Sequence, residues 1–136
     1  MDLSYRPLKA NERDLLERLL DPDFPGRDEL LGQVSSVTAK EIDEDGGLAL
    51  RCAPNRPAPV KCRVPTEGEC ADNDGVMIHV LLHVVDGVMS ELEVFKEDSS
   101  RVQNPPLARD LVLFTPYGEA GVKWGAGKPG RANRNQ

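Results

Sequence analysis

The residues best suited to chemistry are two histidines, His79 and His83, which lie four positions apart in the apolar run IHVLLHVV. On an α-helix this spacing would place both rings on one face, as in sites where two histidines bind one Zn²⁺ ion. On a β-strand the two side chains would lie about 13 Å apart, too far for one ion with bonds of about 2.0 Å. Four of the ten residues 76–85 are valine and one is isoleucine, which favours a strand. We therefore predict no metal ion shared by the two histidines.

This strand and the segment after Asp86-Gly87 have the pattern of a β-hairpin. A three-residue loop, Val85–Gly87, keeps the apolar side chains of both strands on one face, whereas a two-residue loop mixes them with charge. The three-residue register places His79 opposite Glu93. The candidate functional face then consists of His79, His83, Glu91 and Glu93. Its residues form either stabilising cross-strand pairs or an acid–base site.

Other chemical motifs fail when their spacing is tested. The acidic segments EIDEDGG and CADNDGV lack the glutamate that a calcium-binding EF-hand loop needs at position 12. The glycine-rich segment GAGKPG lacks the Lys-Ser/Thr pair of a phosphate-binding loop. We therefore predict no metal ion, no cofactor and no covalent nucleophile.

The three cysteines, Cys52, Cys62 and Cys70, form no Cys-x-x-Cys pair, so neither a zinc ribbon nor a disulfide framework is indicated. Alternation places Cys52 and Cys62 on apolar strand faces. We expect Cys70, in the polar segment TEGECADND, to be the most reactive thiol. Its alkylation should be slow, because the acidic neighbours disfavour the thiolate.

The N-terminal part of the chain has helical periodicity. Leucines in PLKANERDLLERLLD fall on one stripe and predict an amphipathic helix over residues 10–20. Asp28 is expected to cap a short second helix that ends near Gly32. Arg27, in the segment FPGR, is a further candidate functional residue. The alternative is a structural role, in which Arg27 pairs with a neighbouring acid or binds carbonyls at a turn. The segments QVSSVTAKEID, GGLALRCAP and PVKCRVP then alternate with a period of two and predict strands.

These elements predict an α+β fold with an antiparallel, meander-like sheet of about four to six strands and the N-terminal helix packed on one face. We expect residues 1–117 to form a single domain and residues 118–136 a disordered, basic, glycine-rich tail. The predicted core consists of Leu15, Leu19, Leu50, Val80, Leu82, Leu92 and Val94.

The charge of the chain is divided unequally. Residues 1–117 carry a net charge of −9 and residues 118–136 one of +3, which together give the −6 of the whole chain. An acidic body repels phosphate backbones and suits a basic protein partner, so nucleic acid is disfavoured. No run approaches the roughly 20 apolar residues of a membrane span, and no signal peptide begins the sequence. We therefore expect a cytoplasmic protein; the oligomeric state is left open.

The segments YRPL, FPGRDELLGQ, LLHVVDG and ELEVFKED together resemble a family of short, uncharacterised bacterial proteins that is catalogued as a domain of unknown function. The resemblance spans about residues 4–104 and does not reach the basic tail. It implies a bacterial domain that stands alone. Because the family has no assigned activity, the resemblance implies no catalytic residues.

Two functions remain after these exclusions. The first is a small acidic protein-binding module, of which an immunity-type inhibitor of a basic partner is one concrete form. The second is an enzyme that uses the His79, His83, Glu91 and Glu93 face for acid–base chemistry. A pocket that holds both histidines would favour the enzyme, whereas a flat or covered face would favour the binding module. Binding of nucleic acid through the tail is a weaker third hypothesis.

Overall fold

The computed structural model describes residues 4–53 and 56–116, together with the backbone of 123–124. The helical elements are α1 (Ala10–Leu19), α2 (Arg27–Val34) and a short 3-10 turn (Ala108–Asp110). The strands are β1 (Arg6–Pro7), β2 (Thr38–Glu41), β3 (Leu48–Arg51), β4 (Thr66–Ala71), β5 (Met77–Val85), β6 (Val88–Lys96), β7 (Val112–Phe114) and β8 (Lys123–Trp124).

The strands form one antiparallel sheet in the order β1-β2-β3-β6-β5-β4-β7-β8. The segments β1–β3 and β4–β6 are each meanders, but β3 pairs with β6, so the chain between β3 and β4 crosses the β5–β6 hairpin. The α+β class and the antiparallel sheet are confirmed. The expected four to six strands were too few for the described part of the chain, which has eight. Strands of two or three residues, such as β1 and β7, are too short to show a sequence period.

Both helices pack on the same face of the sheet; the sequence predicted two helices but placed only the N-terminal one on this face. Leu16 and Leu19 of α1 and Leu30 of α2 are fully buried in a cluster that includes the apolar residues of the central strands. All seven predicted core residues are buried, which confirms that prediction: Leu15, Leu19, Leu50, Val80, Leu82, Leu92 and Val94. Neither described helix is long and apolar enough to cross a bilayer.

The helix α2 begins one residue before its predicted cap. Gly26 precedes it with a φ of +94°, which a residue with a side chain rarely adopts, and a Cβ there would lie 2.8 Å from Cγ1 of Val60. Asp28 lies in the first turn instead of capping the helix, and the helix ends at Val34 rather than near Gly32. A glycine is therefore required where α2 meets the segment that follows β3.

The prediction of a strand in PVKCRVP was wrong. Residues 57–65 form no described strand, and the side chain of Cys62 is exposed instead of lying on an apolar face. Local alternation of Val60, Cys62 and Val64 was misleading because no neighbouring strand pairs with this segment. Two backbone bonds join the segment to the hairpin: the N–H of Val84 donates to the carbonyl of Arg63 (2.7 Å), and the N–H of Ala58 donates to the carbonyl of Gly87 (2.8 Å).

The β5–β6 hairpin turns through two residues, not the three that were predicted. Val85 pairs with Val88, and Asp86 and Gly87 between them have φ angles of 53° and 78°, as a type I′ turn requires. The register changes between His83 and Val84, where β6 contains one residue more than β5. The extra residue is Ser90, which forms a β-bulge and so returns the apolar side chains beyond it to the core face.

The bulge overturns the predicted pairs while preserving the predicted faces. Val80 pairs with Val94, and Leu82 pairs with Leu92. His79 pairs with Phe95, so its predicted position opposite Glu93 was wrong. Because the actual register differs from the predicted one by two residues, each side chain stays on the face that was assigned to it.

A buried amide from α2 holds the turn and the bulge together. Nε2 of Gln33 donates to the carbonyl of Gly87 (2.8 Å), and Oε1 of Gln33 accepts from the N–H of Met89 (3.0 Å). Gln33 is buried, and its amide bonds to two backbone groups at the irregular end of the hairpin; the carbonyl of Gly87 also accepts the N–H of Ala58 (2.8 Å).

A second buried polar group lies at the opposite end of the hairpin. Nζ of Lys96 lies 2.5 Å from Asp74 and 3.1 Å from Asp72, and the Lys96 side chain is 0 % exposed. Asp72 also accepts backbone N–H bonds from Gln103 (2.7 Å) and Asn104 (3.0 Å). This lysine cluster, made of Lys96, Asp72 and Asp74, therefore joins β6, the β4–β5 turn and the segment after β6.

The predicted disordered tail, residues 118–136, lies almost entirely outside the described residues. Within it the structure describes only the backbone of Lys123–Trp124, which forms β8 and pairs with β7.

Candidate functional site

The side of the sheet opposite the helices, here called the histidine face, carries His79 and His83 from β5 and Glu91, Glu93 and Phe95 from β6. Alternation on β5 directs the even-numbered residues to the helices and the odd-numbered residues to this face. On β6 the bulge brings the odd-numbered residues from position 91 onward to the same side. The face therefore has the composition that the sequence predicted.

His79 is a buried part of this face. Its side chain is 4 % exposed, its ring stacks on Phe95 with centroids 5.1 Å apart, and Nε2 lies 2.8 Å from Oε1 of Glu97. The residue bonded to His79 is thus Glu97, beyond the end of β6, and not the predicted Glu93. A substrate would have to displace these contacts to reach the ring.

His83 has a different and more accessible setting. Nε2 of His83 lies 2.7 Å from Oε1 of Glu93, and the two side chains are 14 % and 38 % exposed. Glu91 is the direct cross-strand partner of His83. One potential ligand atom from each of His83, Glu91 and Glu93 lies within 4.8 Å of the other two. The structure therefore brings together three of the four predicted residues of the face and separates them from His79.

Arg63 determines the protonation pattern of the His83 ring. Nε of Arg63 donates a hydrogen bond to Nδ1 of His83 at 2.9 Å. Because Arg63 has no acceptor atom, Nδ1 must carry a lone pair in this arrangement. Nε2 then carries the proton and donates it to Glu93. The sequence did not indicate Arg63, which lies in the segment that was mistaken for a strand.

Arg27, the remaining predicted site residue, lies away from the histidine face and connects the two helices. Its Nη1 donates to the carbonyls of Leu20 and Asp21 (3.1 Å each), and its Nε donates to Asp28 (2.8 Å). The alternative given for Arg27, that it pairs with an acid and binds carbonyls at a turn, is what the structure contains. These bonds account for the residue without a ligand.

The described residues also enclose an acidic cleft on the helix side of the sheet, with a volume of about 580 Å³. Its floor is apolar and consists of Leu15, Leu48, Leu92, Val94 and Val102. Its rim carries five carboxylates, those of Glu12, Glu41, Asp43, Glu44 and Asp45. Neither His79 nor His83 lines this cleft, so the cavity and the histidine face are separate sites.

Cations of the chain itself neutralise part of the rim. Arg6 binds Glu12 through two bonds of 2.8 and 2.9 Å and reaches Glu41 at 3.3 Å. The hydrogen bonds from Arg6 lower the pKa of Glu12, burial opposes this effect, and the N–H of Lys9 adds to it. Arg101 pairs with Glu44 at the other end of the rim.

Two rim carboxylates extend into solvent. The side chains of Glu41 and Glu44 are 61 % and 72 % exposed. Asp43, between them, accepts the N–H groups of Asp45 and Gly47 at 2.9 Å each and so shapes the β2–β3 turn. The acidic run EIDEDGG was considered only as a calcium loop in the sequence; its charge density was the signal for the cleft.

The thiols are arranged differently from the prediction. Cys70 is buried in β4, because its side chain alternates onto the core face beside Thr66 and Gly68. Cys62 is exposed, and burial raises the pKa of the Cys52 thiol. The expectation that Cys70 is the most reactive thiol was therefore wrong, since its polar sequence neighbours point to the other side of the strand.

A family model described as "Domain of unknown function (DUF6984)" matches residues 5–106. No curated protein and no solved structure matches the chain.

Proposed function

The chain belongs to the DUF6984 family, whose description assigns no activity, and from the geometry of the acidic cleft we propose that it is a protein-binding module that recognises a basic segment of another protein there. An immunity-type inhibitor of a basic partner is one concrete form of this function. The observation that carries the proposal is the combination, in one cavity, of an apolar floor with a rim of five carboxylates.

The chemistry of the cleft suits lysine and arginine side chains. Both have an apolar stem that packs on hydrophobic surface and a charged head that stays at the polar edge. In the cleft, the stem would lie on the more accessible apolar residues Val102 and Pro105, and the head would reach Glu41 or Glu44. An arginine head can also bind a carboxylate through two parallel hydrogen bonds, as Arg6 already does with Glu12.

The net charge of residues 1–117 supports the same partner chemistry. A charge of −9 attracts a basic protein over distances of about 8–10 Å at moderate salt and speeds its encounter with the cleft. Some rim carboxylates already pair with cations of the chain, so the basic groups of a partner would compete with Arg6 for Glu41 and with Arg101 for Glu44. We expect such binding to weaken steeply as the salt concentration rises.

The state of the histidine face supports a binding module over the enzyme alternative. Acid–base catalysis by both histidines needs a pocket that holds both rings and admits a substrate. The side chain of His79 is 4 % exposed and stacks on Phe95, whereas that of His83 is 14 % exposed and lies beside Glu93. The enzyme that uses His79, His83, Glu91 and Glu93 together is therefore the less well supported proposal.

A cytoplasmic location and a bacterial origin belong to the same proposal. None of the three cysteines forms a disulfide within the described part of the chain, as is usual for proteins of a reducing compartment. The bacterial origin rests on the resemblance in the sequence alone.

The test compares two variants with the same change in net charge. Glu41→Gln with Glu44→Gln removes the two exposed rim charges, and Asp14→Asn with Glu17→Gln removes two exposed charges from α1. Each protein and the wild type are immobilised and exposed to an extract of the native host at low salt, and the bound proteins are eluted with a salt gradient. A protein that binds the wild type is then purified and titrated by calorimetry.

We expect a basic protein that binds the wild type and the α1 control equally and binds the rim variant about tenfold more weakly, a loss of about 1.4 kcal/mol. Equal affinity for the rim variant and the wild type would exclude the cleft as the recognition site. Recovery of no partner by the wild type would contradict the binding function itself.

A further inference from the structure

The convergence of His83, Glu91 and Glu93 on the histidine face points to a second, separate site, and we propose that these three side chains bind a divalent transition-metal ion. An imidazole nitrogen with two carboxylate oxygens is a ligand set that Zn²⁺ and related ions accept. Three protein ligands leave at least one coordination position to water, as in zinc sites that are open to solvent. This site is independent of the acidic cleft and of the function proposed for it.

The distances are close to those that an ion requires. With bonds of about 2.0–2.2 Å, two ligand atoms of one Zn²⁺ ion in tetrahedral geometry lie about 3.4 Å apart. Potential ligand atoms of His83, Glu91 and Glu93 already lie within 4.8 Å of one another, and those of His83 and Glu93 lie 2.7 Å apart. We expect rotation of the partly exposed side chains of Glu91 and Glu93 to close the remaining difference.

The ligands stand on paired strands, so little ordering accompanies binding. Glu91 on β6 is directly opposite His83 on β5. Glu93, two residues further along β6, is the diagonal neighbour of His83. The Ser90 bulge creates this pairing, since it shifts the register between His83 and Val84. The charges also match, because two carboxylates balance a divalent ion while the imidazole stays neutral.

Arg63 opposes the ion in a way that can be tested. An ion at Nε2 of His83 replaces the proton that Nε2 now donates to Glu93, and that proton leaves to solvent. A neutral metal-bound imidazole then takes a proton from solvent at Nδ1, so the ring gains and loses one proton. Nδ1 then faces Nε–H of Arg63 donor to donor, and the present 2.9 Å bond breaks. Because Arg63 is exposed and lies outside the described strands, its side chain can move away.

The experiment is a calorimetric titration of the full-length protein with Zn²⁺, with a chelator as competitor. We expect one ion per chain, and at least about tenfold weaker binding in His83→Gln and in the double variant Glu91→Gln/Glu93→Gln. Arg63→Gln should bind up to about fivefold more tightly, because a competing hydrogen bond and a positive charge are removed. A merely structural His83–Glu93 pair would not produce this gain.

Two control variants isolate the site. His79→Gln removes the other histidine of β5 and should leave the Zn²⁺ affinity unchanged; circular dichroism verifies that each variant is folded. Cys62→Ser removes the exposed thiol next to Arg63 and should also leave the affinity unchanged. Binding that survives in His83→Gln but disappears in Cys62→Ser, or no binding by the wild type, would overturn the proposal. An affinity that does not rise in Arg63→Gln would overturn the competing role of Arg63.

Discussion

The β5–β6 hairpin holds two clusters of ionisable side chains, at opposite ends and on opposite faces of the sheet. In the lysine cluster, Lys96 is 0 % exposed and contacts two aspartates, and Asp72 also accepts three backbone N–H bonds. In the cluster around His83, the imidazole and Glu93 remain partly exposed, and the carboxylates retain acceptor capacity for a further ligand. The two clusters differ in how many hydrogen-bonding positions the fold itself occupies. In the lysine cluster the charged groups are buried and bonded within the chain, whereas the cluster around His83 keeps exposed acceptor positions.

This difference separates a structural role from a candidate functional one more clearly than residue type does. Asp72 and Glu93 are both carboxylates bonded to a basic side chain from another element or strand. A buried charge that loses its partner destabilises the fold strongly, whereas a partly exposed pair contributes little. Substitutions at the two ends of the hairpin should therefore have very different effects on stability.

The largest effect is expected from Lys96→Met. The methionine fills much of the volume of the lysine but leaves Asp72 and Asp74 without their cation. We expect the melting temperature to fall by about 10 °C or more, because uncompensated buried charge is among the costliest defects in a protein interior. Thermal unfolding followed by circular dichroism measures the change. Lys61→Met, at an exposed position, serves as the control and should change the melting temperature little. Equal shifts in the two variants would remove the contrast between the clusters.

An intermediate effect depends on pH. Burial alone would raise the pKa of Asp72, but hydrogen bonds from Gln103, Asn73, Lys96 and Asn104 outweigh it and lower the pKa from 3.8 to about 2. Since the pKa is lower in the folded than in the unfolded chain, the carboxylate stabilises the fold fully above about pH 4. This contribution is lost as the pH falls from about 4 through about 2.

The measurement is the urea midpoint of the wild type and of Asp72→Asn at several pH values. We expect the difference between the two proteins to be constant from about pH 7 to 5 and to shrink below about pH 4. The exposed variant Asp23→Asn gives the background acid response. A difference that stays constant down to about pH 2 would contradict the lowered pKa of Asp72.

The smallest effect is expected from His83→Gln in the absence of added metal. Cross-strand pairs of this kind contribute about 0.2–1 kcal/mol, and glutamine retains a donor that can reach Glu93. We therefore expect the free energy of unfolding in urea to fall by less than about 1 kcal/mol. A loss as large as that of Lys96→Met would show that His83 is as much part of the framework as the lysine cluster.

The sequence predicted the parts of this molecule that depend on local periodicity. The leucine stripe predicted α1, and the alternating β5 and β6 predicted the hairpin, the identity of both faces and the seven core residues. The alternation also placed His83, Glu91 and Glu93 on one face, even though the predicted cross-strand pairs differ from the observed pairs by two residues. A face depends only on whether a position is odd or even, whereas a pair depends on the turn and on every bulge.

The features that the sequence did not predict are those that depend on distant residues. The N–H of Met89, next to the bulge, is bonded by Gln33, which lies more than fifty positions earlier in the chain. Lys96 is buried because aspartates from the β4–β5 turn surround it, and lysine is rarely buried otherwise. The segment 57–65 alternates like a strand but has no strand beside it. The acidic cleft assembles from α1, the β2–β3 turn and the segment after β6, so no single motif contains it.

The extra residue at Ser90 also governs which changes in chain length the hairpin can accept. The pairs next to the two-residue turn and the pairs beyond His83 differ in register by one residue of β6, and Ser90 is that residue. Deleting Ser90 would remove the bulge and leave Leu82 opposite Leu92 and Val80 opposite Val94. A continuous ladder that kept Ser90 and paired it with His83 would instead set Leu82 opposite Glu91 and Val80 opposite Glu93. Every later side chain of β6 would then face the wrong side, with carboxylates against the leucines of the helices. For this strand, therefore, the loss of the extra residue is easier to accept than its inclusion in the ladder.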